Sequence, residues 1–203
     1  MFRVFSAVLV ASLLVVTPIA SGEFNRKLNI GDTAPPFKDL DGIDGKKHSL
    51  GDLKDKDVVV LAIICNSCPV AVRYEDRLIA FAKKYAGPDG KVAVVAINLS
   101  LDEEDTLPLM KERAKAKGFN FTYLIDPSQN LGRALGASRT PEFFVLNKDR
   151  KVVYMGAMDN EDNGQAADVN YLEAAVNATL KGEKPAVAET APRGCGVTYA
   201  KKK

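Results

Sequence analysis

Apolar positions in this chain change their period several times, and each change predicts an element. Val58 to Ile64 is an unbroken apolar run rich in β-branched residues, the pattern of a strand covered on both faces. From Pro69 to Tyr85 the period lengthens. Ala71, Tyr74, Leu78, Phe81, Ala82 and Tyr85 recur three and four apart, which predicts one apolar face of a helix. The segment Gly87-Pro88-Asp89-Gly90 stops that helix, and Val92 to Ile97 reads as a second buried strand. Strand, helix and strand in this order make a right-handed βαβ unit.

Weaker patterns extend the same layout. A second helix is expected from near Pro108 to Gly118, with Lys111, Glu112, Arg113, Lys115 and Lys117 as its solvated face. Phe121 to Ile125 predicts a short strand, after which Asp126-Pro127 caps a brief helix ending near Gly136. Glu142 to Leu146 and Lys151 to Met155 predict two strands joined through Asn147-Lys148-Asp149. A last amphipathic helix is expected over Asp168 to Leu180, with Leu172, Ala175, Val176 and Leu180 inward. Upstream, Ile30 to Phe37 is Pro/Gly-punctuated and extended, and Asp41-Gly42 with Asp44-Gly45 predicts a small hairpin. The organisation expected is one α/β domain over residues 23–182 and an Ala/Pro-rich tail, 183–203, that wraps or dangles.

The first 22 residues follow a different logic. Arg3 is followed by an apolar stretch from Val4 to Val16 and by the small residues Ala20-Ser21-Gly22, the order of a secretory signal with cleavage after Ser21 or Gly22. The apolar stretch is shorter than the roughly 20 residues of a spanning helix. Export to a periplasmic or extracellular space is therefore expected, with membrane tethering as the outcome if the segment is retained. Arg3 is its sole charged residue, so removal takes the formal charge from +2 to +1. A near-neutral chain carries no electrostatic footprint for nucleic acid. The single histidine, His48, lies in a polar turn, which argues against His-based metal sites and His-assisted hydrolysis. No cofactor and no metal is expected.

The chemistry concentrates in Cys65-Asn66-Ser67-Cys68, set between the buried strand and the first helix. Unpaired N–H groups and the dipole at a helix N-terminus stabilise a thiolate and lower its pKa. Two intervening residues let the sulfurs meet and part with little backbone motion. A C-x-x-C in a βαβ unit reads as a redox motif; the bland alternative is a static disulfide of an oxidising compartment. Pro69 pushes Cys68 away from helical angles, so Cys68 caps the helix, which favours Cys68 over Cys65 as the low-pKa thiol. The third cysteine, in Gly194-Cys195-Gly196, is expected to be exposed and mobile. It is read as a resolving cysteine, an intermolecular partner, or a residue without a role.

These motifs carry a resemblance. Ile30-Gly31-Asp32-Thr33-Ala34-Pro35, Cys65-Asn66-Ser67-Cys68-Pro69, Asp126-Pro127 and Thr140-Pro141-Glu142-Phe143-Phe144 are similar to the thioredoxin-like superfamily, in its AhpC/TSA (redoxin) branch. The resemblance spans roughly Ile30 to Leu180. It implies a thioredoxin-like fold, a central mixed β-sheet flanked by helices, with Pro141 cis against the cysteine pair and the Thr140 backbone contacting thiol substrates. It also implies protein thiols or disulfides as substrates, together with a redox partner. Two departures stand out: there is no tryptophan, and the strand before Cys65 carries no acid, so a proton acceptor for Cys68 is unassigned. The function expected is an exported thiol–disulfide oxidoreductase using Cys65 and Cys68. The alternative is a peroxiredoxin-like peroxidase, in which Cys65 stands where that family has threonine. Cys68 would then attack peroxide, with Cys65 or Cys195 resolving its sulfenic acid.

Overall fold

An interior strand of the sheet, flanked on both sides, shows why the apolar run from Val58 is uninterrupted. In the computed structural model, which describes residues 22–87, 90–161 and 167–201, every residue of that strand is buried. In chain order the elements are β1 (Leu40–Gly42), β2 (Lys47–His48), β3 (Val58–Ile63), α1 (Pro69–Tyr85), β4 (Val92–Asn98), α2 (Leu107–Lys117) and β5 (Thr122–Ile125). There follow α3 (Asn130–Leu135), β6 (Arg139–Thr140), β7 (Glu142–Leu146), β8 (Val152–Gly156), α4 (Tyr171–Leu180) and β9 (Cys195–Gly196). The main sheet has the order β2-β1-β5-β4-β3-β7-β8. Its β3, β4 and β5 run parallel, and the remaining pairings are antiparallel.

Alternation along β3 divides the core in two. Val58, Val60 and Ala62 pack with Tyr74, Leu78 and Phe81 of α1 and with Leu172 and Val176 of α4. Val59, Leu61 and Ile63 face the other layer, with Phe37 and Leu50 before the strand and Leu131 and Leu135 of α3. Phe144, fully buried in that second layer, is the β7 partner of Leu61. Phe144→Ala is expected to cost about 3–5 kcal/mol, read as a lower urea midpoint at unchanged slope.

Several expectations need correction. The last helix begins at Tyr171, not Asp168, because Asn170 supplies the cap by accepting from the Glu173 N–H at 2.9 Å. Asp168 and Val169 instead donate their N–H groups to the Asn160 side chain. Leu180 is exposed, since it ends the helix where Lys181 and Gly182 turn the chain away. Asp126 does cap the brief helix, but from further back: its carboxylate accepts from Leu131 N–H at 3.0 Å across a left-handed Gln129. On α2, Arg113 is not a solvated charge. It grips the buried Glu75 of α1 through two hydrogen bonds, 2.5 and 3.0 Å, which compensates an acid otherwise costly to bury.

The tail wraps. Met155 N–H donates to Ala188 and Thr190 N–H returns a bond to Met155, both 3.1 Å. Glu189 then collects the backbone N–H groups of Glu23, Phe24 and Asn25. The expected signal segment, Pro88-Asp89 of the first helix stop and the last two lysines lie outside the described residues, apart from Gly22. Among the described residues no helix is long and apolar enough to cross a membrane.

Candidate active site

β3 ends beside the N-terminus of α1, and the five residues from Ile64 to Cys68 bridge the two. Cys68 is the cap of α1, in extended backbone (φ −85°, ψ 112°) with Pro69 at the first helical position. Its sulfur accepts from the Ala71 N–H at 3.3 Å. All three cysteines are free thiols.

The environments of the two motif cysteines push their proton affinities apart. For Cys68 the largest influence is the hydrogen bond from the neighbouring Cys65 thiol, which favours the thiolate. Burial opposes it, while Cys195, Thr140 and the Ala71 N–H add to it, and the net direction is well below the ordinary thiol range. The Thr140 carbonyl, 3.1 Å from Cys68 Sγ, takes the proton's hydrogen bond whenever the thiol form is present. Cys65 moves the opposite way. The shared hydrogen bond with Cys68 holds its proton in place, and burial and the charge of Asp105 act in the same sense. Cys65 Sγ lies 3.7 Å from Thr140 Oγ1 and 3.6 Å from the Ser67 hydroxyl, and both hydroxyls pull weakly the other way.

Asp105 was not foreseen from the sequence. It comes from the loop after β4, is 1% exposed, and organises the residues between the cysteines. Its carboxylate accepts from Asn66 N–H at 2.6 Å, from the Ser67 hydroxyl at 2.6 Å and from Asn98 Nδ2 at 2.7 Å. The Asn66 side chain is held as well, donating to the Glu104 carbonyl at 2.9 Å and accepting from the Tyr123 hydroxyl at 3.3 Å. β3 carries no acid; the buried acid beside the motif arrives from a neighbouring loop. Within the run Asp102-Glu103-Glu104-Asp105, nothing local distinguishes the residue that turns inward.

Thr140 and Pro141 stand opposite the cysteines, and their peptide bond is cis. A second unforeseen acid, Glu142, anchors this turn by accepting from Ser138 N–H at 2.7 Å and Arg139 N–H at 3.0 Å. Burial raises its pKa, against the pull of those two bonds. Cys65, Cys68, Leu99, Leu101, Thr140 and Cys195 line one cleft. Cys195, expected to be exposed and mobile, is half-buried in β9, which pairs with β6. His48 sits on the edge strand β2, bound to Asp44 at 3.0 Å. Among the described residues no three His, Cys, Asp or Glu side chains converge as a metal-holding group.

A mixed sheet with a cysteine pair at the start of the helix that follows an interior strand, and Thr140-Pro141 facing it, has the architecture of a thioredoxin-like oxidoreductase. The chain belongs to the Redoxin family, whose family model matches residues 29–175. It is 32% identical over 129 residues to a protein of Bacillus thuringiensis (strain Al Hakam) named thiol-disulfide oxidoreductase ResA, covering 63% of this chain and 69% of that one. The crystal structure of a hypothetical protein from Sinorhizobium meliloti 1021 superposes with a TM-score of 0.79 at 35% identity, covering 87% of this chain and 97% of that chain. A thiol-disulfide oxidoreductase from Bacteroides fragilis NCTC 9343, at 17% identity and a TM-score of 0.52, covers 61% of this chain and 89% of that one and shares the fold alone.

Proposed function

We propose that this chain is an exported thiol–disulfide oxidoreductase in which Cys68 is the attacking thiolate and Cys65 completes the redox pair. The observation that carries the reading is the place of Cys68 as the cap of α1, with its sulfur on the Ala71 N–H and the Cys65 thiol beside it. The name of the Bacillus relative supports exchange chemistry. The segment Met1 to Gly22, patterned as a secretory signal, supports export.

Exchange runs in two displacements. Cys68 thiolate attacks one sulfur of a partner's disulfide; a bond from Cys68 Sγ to that sulfur forms, and the partner's own S–S bond breaks. Its second sulfur leaves as a thiolate and is protonated. Cys65 then loses its proton and attacks Cys68 Sγ, which forms the Cys65–Cys68 disulfide and releases the partner's remaining thiol. The partner gains two electrons and the cysteine pair gives up two; the reverse sequence oxidises a partner dithiol. The Ser67 hydroxyl lies between Cys65 Sγ and the Asp105 carboxylate, so Asp105 is assigned as the acceptor for the proton that Cys65 releases. Asp105 also positions the motif through Asn66. A peroxidase would use the same pair, with Cys68 attacking peroxide and Cys65 resolving it; the name of the Bacillus relative favours exchange.

The test uses Cys65→Ser/Cys195→Ser protein, in which Cys68 is the sole thiol. Mixed with a disulfide-bonded protein substrate, it is expected to accumulate a mixed disulfide on Cys68, seen as a mass adduct that dithiothreitol removes. Cys68→Ser/Cys195→Ser protein, with Cys65 alone, is expected to accumulate none. Equal trapping by both would reverse the assignment of the nucleophile, and trapping by neither would remove the exchange mechanism.

A further inference from the structure

The tail forms a fitted strap across the site, and its cysteine ends up at the reactive sulfur. β9 pairs antiparallel with β6, placing Cys195 opposite Thr140 and Gly196 opposite Arg139. The pairing continues with Val197 N–H donating to Ser138 at 3.0 Å. Beyond it, Gln129 clasps the tail from both sides, donating to Thr198 O at 2.9 Å and accepting from Ala200 N–H at 2.9 Å. The Tyr199 hydroxyl donates to Ala137 O at 2.7 Å, and the Arg133 guanidinium lies over the Tyr199 ring. Gly194 is the close approach that permits this course: a Cβ there would lie 2.0 Å from the Thr140 carbonyl oxygen, at φ +134°.

Register settles where the Cys195 side chain goes. Cross-strand partners in an antiparallel pair share a face, with Cβ atoms about 5 Å apart. Thr140 turns its hydroxyl toward Cys65 Sγ and its carbonyl toward Cys68 Sγ. Its partner Cys195 accordingly packs against the same cluster that contains Cys65 and Cys68. Val70, at the start of α1, lines a common pocket with Cys195. Cys68 therefore has a thiol on each side, Cys65 from its own loop and Cys195 from the tail.

We propose that Cys195 is a third redox thiol of this site, presented to Cys68 by the tail as a tethered substrate. The inference rests on the reading that Cys68 is the attacking thiol. In the mixed disulfide between Cys68 and a partner, the Cys195 sulfur attacks Cys68 Sγ. A Cys68–Cys195 bond forms, the Cys68–partner bond breaks, and the partner's sulfur leaves with the proton that Cys195 gives up. Cys65 then attacks Cys68 Sγ in turn; the Cys65–Cys68 disulfide forms and Cys195 regains a proton. No external oxidant beyond the partner disulfide enters. Tethering makes each attack intramolecular, at an effective concentration of order millimolar or higher.

The experiment treats the full chain, fully reduced, with oxidised glutathione, quenches by alkylation and maps disulfides by peptide mass. Wild type and Cys195→Ser are both expected to end as the Cys65–Cys68 disulfide; if neither does, the redox-pair reading fails on its own account. Cys65→Ser protein is expected to end as a Cys68–Cys195 disulfide with the glutathione adduct lost, whereas Cys65→Ser/Cys195→Ser retains glutathione on Cys68. Adding Gly194→Ala to Cys65→Ser is expected to bring the adduct back, because the strap can no longer lie against Thr140. Equal retention of glutathione on Cys68 in Cys65→Ser and in the double variant would overturn the proposal, while the pair reading would stand on the first two proteins.

Discussion

Cys68→Ser protein loses exchange with disulfide-bonded substrates by a factor on the order of 10³ or more, the scale on which removal of a covalent nucleophile acts. Serine fits the site in size, keeps Pro69 at the start of α1 and can still accept from the Ala71 N–H, so the fold is retained. What goes is the one sulfur that both neighbouring thiols and the helix N-terminus favour as an anion. Cys65 does not substitute for it, because its hydrogen bond to Cys68, burial and the Asp105 charge hold its proton in place against the weaker pull of Ser67 and Thr140. Cys65→Ser protein behaves differently: it completes the first displacement and loses the regular resolving step. Comparing single-turnover mixed-disulfide formation in the two variants, with circular dichroism to confirm folding, checks the prediction.

The second large effect is a pH dependence. Cys68 in the reduced protein is expected to be alkylated by iodoacetamide at mildly acidic pH, where an ordinary thiol with a pKa of about 8.5 is almost unreactive. Cys65 is expected to stay protected through neutrality. Stability follows with a definite sign. The folded-state pKa of Cys68 is depressed, so its contribution is fully present above the unfolded thiol value and is lost as pH falls through the folded value. For Cys65 the folded pKa is raised; its contribution is present below the unfolded value and lost as pH rises toward the folded one. Together they give the reduced protein a maximum of thiol-derived stability near the ordinary thiol pKa, falling on both sides. Melting temperatures of reduced wild type and the Cys65→Ser/Cys68→Ser protein across that range measure it. A difference that does not vary with pH would contradict the assigned directions.

How much of this was legible in the sequence depended on how local the cause was. The limits of α1 came directly from apolar spacing and from Pro69, and β3 from its continuous burial, because each of those signals lies inside the element itself. The cap role of Cys68 followed from a rule about its immediate neighbour. Asp105 was missed for the opposite reason. Its bonds to Asn66 and Ser67 cross from one βα loop to another, and the acidic run around it reads as solvated. Arg113 was misread as a surface charge, since only the packing of α2 on α1 joins it to Glu75. Cys195 was misjudged through its glycines. Flexible by composition, they serve here to let the tail approach Thr140, a contact set by residues that Gln129, Arg133 and Ala137 hold from across the fold.

The measurement that bears most directly on the central claim is the redox equilibrium of the full chain against a graded ratio of reduced to oxidised dithiothreitol, with thiols alkylated and disulfides mapped at each ratio. One reversible two-electron transition between the dithiol and the Cys65–Cys68 disulfide is expected. Failure to form that disulfide at any ratio, with Cys68 found oxidised only after peroxide is added, would contradict it.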